Sequence, residues 1–416
     1  MEAVRLRSAA AGLTALVALA AVGLAAGPAA ADPASSADSR ACALRRTAVH
    51  HSEGLDTWHP HYPRPGAEGL DAAMVFLSFP DAEPAYETDE LAADYFPETS
   101  EFFERSSYGR FSLRAHPQTE WIEMPRPSTW YAIQRDWNPE RRSAYLREAV
   151  AAADPSVDFS RYDLVYLVAD PEAPGVNADA TKVVNFETPL RADGTAVRRL
   201  VTVFEQHPPD RYVLAHETGH VFDLPDLYNR PRNGRDDWDT HVGDWDLMGS
   251  QFGLAPDFFG WHKWKFGWLD GGQVRCVGPD TGPFTLEPLA EGPAPGTTGG
   301  TRLAVVRTGR DTAIALEART PAGNDTEVCD EAGGGAGVLV YRIDGRTTSG
   351  GGPVRVVDTH PDTSACVSRS VYPPLADAPL RVGESFTVRG SGTRPDVRIE
   401  VMDRAASGGW TVRVGG

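Results

Sequence analysis

The order of periodic segments predicts an α+β fold. A twisted mixed sheet with helices packed on it occupies residues 71–275, and an antiparallel β-sandwich occupies residues 276–416. Three observations carry this reading. Before residue 275, apolar β-prone runs alternate with amphipathic helical stretches. Beyond it, Gly, Thr, Pro and Val rise, helical periodicity vanishes, and short β runs recur between Gly- and Pro-rich turns. The length, 416 residues, suits two or three domains, and no solenoid repeat is present.

The elements follow in order. Arg5 and Arg7, the apolar stretch Ala9 to Leu24 and the small residues Ala29-Ala30-Ala31 read as a secretory leader over residues 1–31, cleaved before Asp32. The mature protein is therefore expected outside the cell. It holds no further run of about 20 apolar residues and should not be held in a membrane. Residues 32–70 lack periodicity and read as an extended arm. Its His50, His51, His59 and His61 read as a solvated loop, with an accessory metal or inhibitory contact as the alternative.

Ala73 to Phe79 suits a buried strand, and Leu91 to Arg105 a helix. Ser107 to Phe111 turns into a further strand. Arg141 to Ala153 places Tyr145, Leu146, Ala149 and Val150 on one side of a second helix. Tyr162 to Ala169 and Val197 to Phe204 are β-prone, the latter just before the most distinctive segment of the chain. After residue 275, strands are expected at 302–307, 313–318, 337–343, 354–358, 385–388, 397–401 and 410–414.

The formal net charge is −18, and losing the leader removes only Glu2, Arg5 and Arg7. So acidic a chain repels nucleic acid and anionic membrane, and a soluble monomer is expected. Cys42, Cys276, Cys329 and Cys366 all lie in the exported part. An even count there implies two disulfides, with three connectivities open. Cys329–Cys366 would lie within the C-terminal region, and Cys42–Cys276 would tie the arm to the end of the preceding one. A Cys42 thiolate capping a metal is disfavoured, because it leaves an odd thiol.

The distinctive segment is His216-Glu217-Thr218-Gly219-His220-Val221-Phe222-Asp223-Leu224-Pro225-Asp226. Histidines four apart on a helix share a face, so their ring nitrogens can converge on one ion. Glu217, beside the first histidine, can accept a proton from water there. Asp210, after Pro208-Pro209, is a candidate N-cap. Pro225 ends the helix. Asp226, six residues after His220, can fold back as a third ligand. Two nitrogens, one carboxylate oxygen and an open position describe a catalytic zinc site.

This HExxHxxxxxD pattern, with Met248 following in Gly243-Asp244-Trp245-Asp246-Leu247-Met248-Gly249-Ser250, resembles the metzincin clan of zinc peptidases. Together with Leu224-Pro225-Asp226-Leu227-Tyr228 and the run Trp261 to Leu269, it is similar to the immune inhibitor A family of secreted bacterial metallopeptidases. The resemblance spans residues 70–275. It implies a zinc endopeptidase acting on proteins or peptides, with His216, His220 and Asp226 as ligands, Glu217 as general base and Met248 in a structural turn under the metal. Metzincins usually place glycine where Asp223 stands, and Asp tolerates the left-handed backbone of such a turn.

Other features each have two readings. Asp236, Asp237, Asp239, Asp244 and Asp246 form either a calcium loop or a set of turn-capping carboxylates. Trp261, Trp264, Trp268, Phe258 and Phe259 suit a hydrophobic core better than a substrate wall. Val201 to Glu205 is a candidate for the strand that pairs with an extended substrate. Rival functions are a zinc hydrolase with a later acidic ligand, which the Met248 turn disfavours, and a secreted binding protein with an inert peptidase module, which the intact Glu217 disfavours. No GxSxG nucleophile elbow is present.

Overall fold

The structure is a computed structural model that describes residues 39–415, apart from 232–233, 279–280, 293–298, 332–334, 391 and 393–394. The predicted leader lies outside the described residues. Strands β1 (Leu70–Ser78), β2 (Leu113–Glu123), β3 (Leu164–Ala169), β4 (Lys182–Ala192) and β5 (Thr195–Val203) form one sheet in the order β2-β1-β3-β5-β4. All neighbours are parallel except β4, which runs antiparallel to β5. Successive side chains of a strand face opposite sides, so the sheet buries two faces. Ala73, Val75 and Leu77 of β1 pack with Tyr145, Leu146, Ala149 and Val150 of the helix Pro139–Ala153. That helix starts as its sequence dictates, with Asn138 accepting from the amides of Glu140 and Arg141, and Pro139 in the first turn. Ala72, Met74 and Phe76 face the other way, towards the helix Val213–Val221 that carries the histidines.

The expected helix from Leu91 to Arg105 is two helices, Thr88–Ala93 and Glu98–Ser106. Pro97 stands between them. It has no N–H to donate, and its ring would clash inside a continuous helix. β4 escaped the sequence reading because its residues are polar and include Pro189, a residue confined to edge strands.

The C-terminal half has two sheets. β6 (Val274–Cys276), β8 (Leu303–Arg307), β9 (Thr312–Arg319), β10 (Gly337–Asp344) and β11 (Val354–Val356) form the first. β7 (Phe284–Leu286), β12 (Ser385–Val388), β13 (Val397–Arg404) and β14 (Trp410–Gly415) form the second. They share a core of Ile314, Leu316, Val338 and Val340 against Ile399, Val401, Trp410 and Val412. The pairing is antiparallel except for β6 and β8, which run parallel. β6 also shows that the expected boundary at residue 275 cuts through a strand.

The outer face of that first C-terminal sheet continues the core beneath the histidine helix. Leu303, Val305, Ala315 and Tyr341 cluster with Phe258, Trp261 and Met248. Buried charges stitch the same seam. Glu317 accepts the Gly260 amide at 2.7 Å and the Tyr341 hydroxyl at 2.7 Å, while Arg319 donates to the carbonyls of Trp245, Ala255 and Asp257. Trp261, Trp268, Phe258 and Phe259 are buried, as core residues should be.

The arm is not a solvated loop. His51, Ser52 and Glu53 are buried. Trp261 Nε1 donates to the Glu53 carbonyl, Trp268 Nε1 to the Pro65 carbonyl, and His262 meets the Glu53 carboxylate at 3.2 Å. Polarity suggested solvent, but the Ser52 and Glu53 carbonyls, the Ser52 hydroxyl and Glu53 Oε1 find partners inside the protein. His50 and His61 stay exposed. Disulfides join Cys42 to Cys276 and Cys329 to Cys366, so the first ties the arm to β6.

Candidate metal centre

The helix Val213–Val221 is buried along its whole length. Its N-cap is Tyr212, not Asp210. Tyr212 takes a left-handed backbone, φ 58°, and makes no side-chain cap, while the Asp210 carboxylate accepts from Gln251 Nε2 at 3.3 Å. Packing under the helix is close. A Cβ on Gly219 would lie 2.5 Å from Met248 Sδ, so glycine there lets the methionine sit beneath the histidines. The Met248 carbonyl accepts from the Leu227 amide at 2.8 Å, holding the segment that carries Asp226 against the methionine turn.

Ligating atoms of His216, His220 and Asp226 lie within 4.8 Å of one another, and all three residues are buried. Each imidazole is oriented from behind: His216 Nδ1 donates to the Leu247 carbonyl at 2.9 Å, and His220 Nδ1 to the Leu224 carbonyl at 2.7 Å. That leaves both Nε2 atoms facing Asp226 Oδ1, at 3.6 Å and 3.0 Å. Asp226 is held in turn. Its Oδ2 accepts from Ser349 Oγ at 2.7 Å and Arg230 Nη2 at 3.2 Å, and its amide donates to Ser349 Oγ at 2.9 Å. Burial alone would push the His220 imidazolium down, but Asp226 beside it holds the pKa up at about 9. Burial opposes the Asp226 charge too, yet His220 and His216 hold that carboxylate well below its usual range. A site this hungry for positive charge, with ring nitrogens already set by carbonyl acceptors, fits a divalent cation with two nitrogen ligands and one oxygen.

Glu217 lies beside this centre, and its Oε2 accepts the Val183 amide at 2.6 Å. His216 and Glu217 line a cleft of about 410 Å³ together with Tyr228, Trp238, Asp239 and Phe252. The Val183 bond brings β4, which lies at an edge of its sheet, against Glu217. β5, which contains Val201, is covered by β3 and β4, so Val201 to Glu205 cannot add a strand.

Sequence reasoning missed Ser349, Arg230 and Tyr228. Tyr228 stacks near His216, ring centroids 6.3 Å apart, and its hydroxyl accepts from Arg230 Nη2 at 2.8 Å. Burial, then the nearby Asp226 charge, pushes that phenol upward. Tyr228 follows Asp226 by two residues and could have been noticed. Ser349 lies 123 residues away and carries no motif.

The five loop aspartates do not converge, and no group of metal-ligating atoms among the described residues contains them. Asp237 Oδ1 accepts the Asp239 amide at 2.9 Å. Asp244 accepts the amides of Leu254 and Val371, each at 3.1 Å. Asp246 accepts those of Met248 at 2.8 Å and Phe259 at 2.7 Å. Asp236 is exposed. Asp239 is pushed up to about 6 by burial and then by Asp237 and Asp244. Asp244 and Asp246 hold their loops through buried amide bonds.

Compared with known proteins, the chain matches no family model, and no curated protein matches it. Among the described residues no helix is long and apolar enough to cross a membrane.

Proposed function

We propose that this protein is a secreted zinc endopeptidase of metzincin type that hydrolyses proteins or peptides. The observation that carries the reading is the convergence of His216 Nε2, His220 Nε2 and Asp226 Oδ1 beside Glu217 at the mouth of a cleft. His216, His220 and Asp226 would hold the ion. When bound, zinc supplies Lewis acidity, polarising a carbonyl and lowering the pKa of water.

The chain's own groups do the rest. Glu217 takes the proton of the attacking water and returns it to the departing amine. The Val183 amide orients that carboxylate. The outer edge of β4 offers backbone groups to an extended peptide, which would align a scissile bond with the cleft. Secretion is supported by the leader-like first 31 residues and by two disulfides, which persist in oxidising compartments.

Metal analysis of the mature protein, with casein hydrolysis before and after chelation, tests the reading. We expect about one zinc per chain, activity lost to the chelator and restored by zinc. A zinc-loaded protein that cleaves neither casein nor a peptide library would overturn it.

A further inference from the structure

Asp223 stands where the resembling peptidases have glycine, and its backbone is left-handed, φ 67°. For most L residues that conformation costs about 1–2 kcal/mol, and Asp is among the few that tolerate it. Its carboxylate is buried, which demands partners. They come from two places. The arm supplies Arg46, whose Nη1 donates to Oδ2, and His51, whose Nδ1 lies 3.2 Å from Oδ1. The helix Gly260–Phe266 supplies Lys265. Its Nζ lies 3.6 Å from Oδ2 and donates to the Asp223 carbonyl at 2.5 Å and to the Ser52 carbonyl at 2.8 Å.

The turn held this way does one thing for the metal centre. The next residue, Leu224, presents the carbonyl that accepts His220 Nδ1, and its amide returns to the Gly219 carbonyl at 3.1 Å. The arm itself reaches the ligand: the His51 and His220 rings are 5.6 Å apart. The arm is also fixed independently of Asp223, by the Cys42–Cys276 disulfide and by Glu53 against His262. Its donors therefore arrive preorganised.

We propose that Asp223 is a positioning residue that couples the N-terminal arm to the metal centre: Arg46 and His51 grip its carboxylate, and the turn they fix aims His220. This rests on the zinc reading above. Glycine at this position would adopt the same turn without outside help. Aspartate makes the turn depend on the arm.

The test is zinc affinity of the full mature chain, measured by competition with a chromophoric chelator, with the visible spectrum of the cobalt-substituted protein as a second readout. Removing the grip in the Arg46→Ala/His51→Ala variant should weaken zinc binding about 10- to 100-fold, as losing an outer partner of a ligand does, and should alter the cobalt spectrum. Adding Asp223→Gly to that variant removes the carboxylate left with Lys265 alone and relaxes the turn. It should recover most of the lost affinity and the original spectrum.

Double-variant affinity within twofold of the parent would overturn the proposal. So would a triple variant that stays as weak as the double, because the arm would then act through general folding. If the double variant does not fold, the triple decides: folded and zinc-binding supports the coupling, unfolded refutes it. A parent chain that binds no zinc at all instead refutes the peptidase reading, and is distinguishable from both.

Discussion

Two buried histidine–carboxylate constellations sit in this molecule and use the same side chains to opposite ends. At the candidate metal centre, His216 and His220 donate their Nδ1 protons to backbone carbonyls, leaving both Nε2 atoms to face one carboxylate at a cleft. At the second, His262 lies between Asp246 at 3.2 Å and Glu53 at 3.2 Å, fully buried and with a carboxylate on each nitrogen. Burial pushes its imidazolium down, but the two carboxylates hold the pKa up at about 9. The difference lies in the acceptor behind each ring. Asp226 holds His220 protonated as well, so what differs is the second nitrogen: a backbone carbonyl on Nδ1 leaves His220 facing a single carboxylate at a cleft, whereas His262 has a carboxylate on each side and pins an arm to a core.

The largest effect expected is at Glu217. Glu217→Gln should keep zinc and lower kcat about 10²–10⁴-fold, while the matching His262→Gln should change kcat only through stability. Equal kcat losses in zinc-loaded, folded samples would break the distinction. Next, Asp226→Ala should weaken zinc retention by more than the roughly 10- to 100-fold of an outer partner. Unchanged metal content would show another third ligand.

His262→Gln should cost about 3–5 kcal/mol in unfolding free energy, because two buried carboxylates lose their cation. The pH profile sharpens this. A folded pKa of about 9 against an ordinary 6.5 means that the stabilisation is fully present below about pH 6.5 and is lost as pH rises through 9. The stability gap between parent and variant should therefore shrink over that window, by on the order of 3 kcal/mol. Denaturant melts at pH 6 and pH 9.5 with an unchanged gap would refute it. The smallest effect belongs to Ser349→Ala, which should weaken zinc binding about tenfold while leaving the His262 cluster intact. An unshifted zinc titration would remove Ser349 from the centre.

Much of the site was legible because it is local. The four-residue spacing of His216 and His220 and the offset to Asp226 all lie within one helix and its exit. Their geometry follows from helical period and turn chemistry. The strand rhythm after residue 275 was legible for the same reason. What stayed hidden was set by distance. Ser349 reaches Asp226 from the β10–β11 connection, and Arg46 and His51 reach Asp223 from an arm whose composition resembles a loop. Nothing in polar residues such as Ser52 or Glu53 signals that a tertiary partner will bury them. The helix start went wrong at Asp210 because a left-handed Tyr212 intervenes, a tertiary choice rather than a local preference.

The brace on Asp226 has a consequence for modularity. A fragment ending at residue 275 keeps the whole HETGHVFDLPD motif, yet it loses the Ser349 hydroxyl, the Gly350 amide that donates to the Asp226 carbonyl at 3.0 Å, and the sulfur that anchors Cys42. The motif is therefore no portable cassette. Grafted or excised without the C-terminal sheets, it would carry the letters of a metal centre and lack the scaffold that aims them.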